Sequence, residues 1–145
     1  MGVMVSALLS GVTAVAFGLL YQVSGWTLVI GGLIGSSSWG LALLLSRIPG
    51  SGFLGDFVGA LVVGGLSEIA AYFRQQPALV FVVPAIIAFV PGDLVYQSMV
   101  SFLKDHFLQG LQSGLSALLA AGAISIGLAL ATAVIRPLIR RSGAK

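Results

Sequence analysis

The stretch FVVPAIIAFVPGDLVYQ, residues 81–97, decides how the chain is read. It is apolar enough to sit in lipid, yet it carries Pro84, Pro91, Gly92 and Asp93. Neither proline can donate a backbone hydrogen bond, and each ring clashes with the carbonyl four residues back. Gly92 adds backbone freedom directly after the second proline. Asp93 then puts a charge where burial is expensive. A plain membrane anchor needs none of these. Pro84 alone fits an ordinary kink, whereas Pro91-Gly92-Asp93 predicts a span interrupted or sharply bent between Phe89 and Leu94. Non-helical backbone at that depth survives only where protein or a water-filled cavity satisfies its polar groups.

The rest of the chain supplies the setting. Of its 145 residues 58% are hydrophobic and only 8% charged, with a mean hydropathy of +1.10. A soluble domain carries about a quarter charged residues, so this chain cannot cover a water-facing surface. The reading is an all-α integral membrane protein, a single transmembrane domain over residues 1–145. Met1 to Ser46 contains no charged side chain, and one span takes about 20 residues. That run therefore folds back on itself near Gln22–Gly25. Five transmembrane helices are expected, at about 3–21, 26–46, 53–73, 77–99 and 112–136, the fourth broken by proline. The wetter segment SFLKDHFLQGLQ, residues 101–112, either continues the fourth helix or lies along the interface. The N-terminus lacks the basic region of a secretory signal and is read as a mature helix.

Arg136, Arg140, Arg141 and Lys145 follow the last span closely. The positive-inside rule puts that tail in the cytoplasm, and an odd helix count puts the N-terminus outside. The joint at Arg74 is then inside, with Arg47 and Lys104 outside. Small residues recur every fourth position at Gly32, Ser36 and Gly40, at Gly55 and Gly59, and at Ala123, Gly127 and Ala131. Such stripes allow close helix approach in lipid. They serve either packing within the chain or docking to other chains.

The polar groups inside the spans are the candidate site. Asp56, Glu68 and Asp93 fall within predicted helices, and an intramembrane carboxylate is a functional candidate by default. Counted at 1.5 Å per residue, Glu68 lies on the cytoplasmic side of the midplane, with Asp93 and Asp56 on the outer side. Asp56 can alternatively snorkel to the outer interface, and Glu68 can reach inner headgroup water or pair with a tail arginine. Ser36, Ser37 and Ser38 sit mid-span, but consecutive residues point about 100° apart and cannot share one face. Either they bond back to carbonyls one turn earlier or they touch water or substrate. A carboxylate costly to keep charged can exchange protons, so Asp93 and Glu68 form a candidate proton route. Substrate would sit between them, against Ser36–Ser38 and the backbone freed at Pro91-Gly92. The absence of cysteine excludes disulfides, cysteine-ligated zinc and iron–sulfur clusters. His106, beside Lys104 and Asp105, is read as a solvated interface residue. With no metal-ligand set, no nucleophile–base pair and no phosphate loop, the chain is read as no enzyme, without cofactor, metal or nucleic acid.

These residues also resemble the threonine/serine exporter family. The likeness covers SEIAAYFRQQPA, then VFVVPAIIAFVPGDLVYQSM, then a small-residue last helix with a basic end. The matching positions are Pro84, Pro91, Gly92 and Tyr96, with Glu68 at the acidic position that ends the preceding helix. The chain is similar to the short second subunit of the family's split form, the type paired with a larger subunit in bacterial succinate exporters. The resemblance implies an inner-membrane exporter of small zwitterionic amino acids or short anionic dicarboxylates, driven by the proton gradient. Its partners would be the lipid bilayer, a larger membrane subunit or further copies of the chain. It departs at Ala88-Phe89, where a further proline is common. It departs again at Asp93, where a small residue is usual, and this points Asp93 toward tuning specificity in this member. The alternatives are a non-transporting scaffold subunit or a pore-forming oligomer. The break weighs against a scaffold, which has no use for it.

Overall fold

The structure is a computed structural model that describes residues 2–23, 25–48 and 53–142, with side chains up to residue 139. Ser24, the joint at residues 49–52, and the tail charges Arg140, Arg141 and Lys145 lie outside that description. With no water in lipid to pair free amides and carbonyls, a spanning chain must satisfy them within helices. The described residues comply except at helix starts and at the break before α5. Helix α1 runs Val3–Leu20, α2 Trp26–Leu45 and α3 Leu54–Arg74. Helix α4 runs Leu79–Ile86, is followed by a 3₁₀ turn at Ile87–Phe89, and gives way to α5 at Gly92–Leu103. Helix α6 runs Phe107–Ser142.

Four of the described helices are long and apolar enough to cross a membrane; α4 and α5, bent by 44° at the break, are so only as a pair, either one broken span or a re-entrant loop. The proline-broken fourth helix read from residues 81–97 is therefore present. The last helix departs from expectation. It starts at Phe107 rather than near 112, and residues 101–112 divide between the end of α5 and the start of α6. The cause is one residue: Asp105 takes a left-handed conformation at φ 58°. Its amide bonds to Phe102 O at 3.2 Å, and the His106 amide reaches Ser101 O at 2.9 Å. The same closure ends α1 at Gln22 and α3 at Gln75. These pairs satisfy carbonyls that a helix end would otherwise leave free. A left-handed L-residue costs roughly 1–2 kcal/mol that glycine avoids. Asp105→Val is thus expected to destabilise by about that amount, while Asp105→Gly holds or raises stability slightly. Thermal unfolding in detergent measures both, and a Val variant as stable as the parent contradicts this turn.

Small residues decide which helices touch. On α1–α2, a Cβ at Gly11 would collide with Ser36 Oγ, Gly40 faces Ala7, and Ser10 Oγ donates to Gly35 O at 3.2 Å. On α2–α3, Gly55 lies against the Ala42 carbonyl. On α3–α6, Gly64 faces Ala131, and Gly127 faces Phe57 O and Ala60. Every stripe singled out in the sequence contributes to packing within the chain. Helices α3 and α6 run parallel, because their contacts advance together from Ala60–Gly127 to Gly64–Ala131 to Gly65–Ile135. Helix α4 packs against α1, α2 and α3, whereas α5 packs closely on α6. Phe81, Val63, Ala60 and Ala85 make the sealed centre.

Candidate functional site

The break follows from Pro91. Its ring disfavours helical backbone in the residue before it, and Val90 adopts φ −59°, ψ 124°. Pro91 itself sits at φ −76°, ψ 53°, and the Gly92 amide closes onto Val90 O at 2.7 Å. This is an inverse γ-turn. The first helical bond of α5 is Val95 N–H to Pro91 O at 3.2 Å, so the amides of Asp93 and Leu94 have no backbone partner among the described residues. Phe89 ends the 3₁₀ turn and anchors the break from the inside. Its ring meets the edge of Trp39 at 5.1 Å and lies where a Cβ on Gly59 would be.

Beyond the break the polar groups turn outward. Asp93, Tyr96 and Gln97 are all exposed on α5. Gln97 Nε2 donates to Asp93 Oδ2 at 2.6 Å, one helical turn on. A carboxylate in the first turn of a helix also faces the positive end of its dipole. The inner side of α5 is spent on α6, where Ser98 Oγ donates to Gly110 O at 2.7 Å.

The three serines fan out as their spacing requires. Ser36 packs against Gly11 of α1. Ser37 bonds back to Leu33 O at 2.8 Å and Ile34 O at 3.1 Å. Ser38 is fully buried and, like Ser67 on α3, its hydroxyl has no partner among the described residues. Asp56 is half-buried in the first turn of α3. It lies 12 residues before Glu68, or roughly 18 Å along the helix. The candidate residues are thus spread along the bundle rather than gathered at one point.

Glu68 is the exception: of the two options its depth leaves open, headgroup water or a tail arginine, the structure shows the arginine, and it is Arg136. Glu68 is 9% exposed, and its Oε2 lies 3.7 Å from Arg136 Nε on α6. The ladder that brings Ala60 to Gly127 and Gly64 to Ala131 reaches Glu68 and the Ile135–Arg136 pair one turn later. The spacing of Ala123, Gly127 and Ala131 is legible in the sequence, but the face of α3 that it meets is not. Two adjoining cavities, of about 440 and 650 Å³, share Glu68, Pro77, Ala78 and Arg136 in their walls. They open at the end of the bundle formed by the α3–α4 joint and the end of α6. Thr27 Oγ1 donates to Gln76 Oε1 at 2.9 Å and ties the start of α2 to that joint.

A protein-family profile described as "Threonine/Serine exporter, ThrE" matches residues 6–134, most of the chain. Neither the curated proteins nor the solved structures yield a match.

Proposed function

We propose, from the premise that the chain belongs to the threonine/serine exporter family, that it is one subunit of an inner-membrane secondary exporter. The family is a transporter family, and the apolar helices fit a membrane location. The cargo in this reading is a small amino acid such as threonine or serine, with succinate the second choice. The tail is cytoplasmic and the N-terminus outside, which turns the Glu68–Arg136 cavities toward the cytoplasm, where an exporter loads.

One observation carries the subunit reading: Asp93, Gln97 and Tyr96 face out of the bundle beside a helix break. A carboxylate and an amide in contact with lipid are costly, and the freed amides of α5 need partners. A second protein surface over α5, from a larger subunit or another copy, supplies both. The small-residue stripes close inside the chain and do not by themselves call for a partner. The test is purification of the chain with and without its candidate partner, followed by efflux from vesicles. A monodisperse monomer with full transport activity ends the subunit reading.

Proton coupling through this chain is part of the same proposal. Asp93→Asn and Glu68→Gln, made singly, keep size and polarity while removing the titratable group. At least one of them is expected to change the export rate or its pH dependence. If both export like the parent at every pH, coupling sits in the partner.

A further inference from the structure

We propose that Glu68 and Arg136 form a split-charge clamp for a free α-amino acid, taking its ammonium at Glu68 and its carboxylate at Arg136. The inference rests on the exporter reading above and names where, on this chain, cargo is held. It begins from an ion pair that is incomplete. Arg136 approaches Glu68 through Nε, at 3.7 Å, and its side chain is 54% exposed against 10% for Glu68. The two terminal guanidinium nitrogens make no hydrogen bond among the described residues, and Glu68 accepts none. A guanidinium presents its donors as a fork that matches a carboxylate at two points. Here Arg136 lines both cavities with its Nε alone in contact with Glu68.

The surroundings reinforce the polarity of each end. Helix α4 starts beside Arg136, and the amides of Ala78 and Leu79, both in the cavity wall, have no acceptor among the described residues. Free amides at a helix start favour an anionic group. Pro137, inside α6, has no amide to give to the carbonyl of Ala133. Ala133 lines the same cavity as Glu68. A cation is offered the Glu68 carboxylate, and an anion the Arg136 guanidinium with the free amides of Ala78 and Leu79. A small ligand that carries one charge of each sign completes the pair, and the cavities are of ordinary size for small ligands. A dicarboxylate such as succinate instead places its second negative charge toward Glu68. The geometry therefore favours amino acids over dicarboxylates.

The test uses the chain with whatever partner co-purifies, in nanodiscs, and reads equilibrium binding. The probes are L-threonine, threoninamide (no carboxylate), 2,3-dihydroxybutyrate (no ammonium) and succinate. The parent is expected to bind threonine about ten- to a hundredfold more tightly than any other probe. Glu68→Gln should lower threonine to the level of dihydroxybutyrate, leaving the latter's own affinity in place. Arg136→Gln should lower threonine to the level of threoninamide. Where a single variant does not fold, Glu68→Gln with Arg136→Gln leaves no unpaired charge, and this double variant should bind all four probes alike. The proposal is overturned by parent protein that binds succinate as tightly as threonine or binds no probe. It is equally overturned by folded variants that keep the parent's selectivity. Selective binding without vesicle export sustains the clamp and ends the exporter reading. Export with unchanged selectivity in the variants does the reverse.

Discussion

Gly127→Val is expected to cost about 3 kcal/mol of stability, the upper part of the range for overpacking a tight contact. A Cβ at Gly127 would lie 2.5 Å from Phe57 O and 3.2 Å from Leu61 N, both backbone atoms of α3, and 3.1 Å from Ala60 Cβ. Backbone cannot swing aside as a side chain does. The two helices must separate, and dispersion contacts along the whole face weaken with the gap. In lipid this close packing is most of what joins α3 to α6. Separation there also pulls Arg136 from Glu68, which share the interface. The control is Gly122→Val on the same helix, where a Cβ meets nothing within 4 Å. That variant should stay within about 0.5 kcal/mol. Thermal unfolding of the two in the same detergent decides it; equal midpoints contradict the α3–α6 crossing.

The second large effect is expected at Gly59. A valine there must displace the Phe89 ring, whose Cζ would lie 2.6 Å from the new Cβ. Phe89 is 3% exposed and packed on Trp39, so expelling it forfeits roughly 2–3 kcal/mol of burial and packing. Because Phe89 sits two residues before Pro91, its displacement redirects α5. Gly59→Val should therefore lower export about a hundredfold in vesicles, while the protein still inserts. The ring is also what makes the effect reversible. In Gly59→Val with Phe89→Ala the valine enters the vacated space, and a coupling of about 1–2 kcal/mol should return. Additive losses in the double variant would mean that Phe89 is not the plug of the break.

How far the sequence announced all this varies by feature. The break was legible because proline acts locally: a missing amide and a ring clash need no knowledge of neighbours. The start of α6 was not, because it depends on Asp105 turning left-handed, a choice that many polar residues make in solvent and that leaves no periodic trace. The carboxylates were easy to find and hard to place. Counting puts Asp93 on the outer side of the midplane but says nothing of its rotation, and on α5 it faces out of the bundle. Depth follows from counting along the chain, but rotation depends on which face meets which neighbour. Arg136 shows the same limit from the other side. Beside Arg140 and Arg141 it read as one of several tail charges. Only the parallel register of α3 and α6 separates it from them.

That register also fixes an order of events during synthesis. Gly64 and Ala131 touch, yet 67 positions separate them (131 − 64), and a ribosome adding roughly 5–20 residues per second needs about 3–13 s to cover that distance. Helices α1 to α4 can pack on one another as they emerge. Through that interval, though, the groove of α3 stands open and Glu68 waits without its arginine, in lipid or against the insertion machinery. Insertion of α6 closes the groove and delivers the counter-charge in one movement, carrying α5 with it. Released chains truncated before Gly127 should therefore remain bound to insertion factors or be degraded, whereas chains that run past Arg136 should leave them.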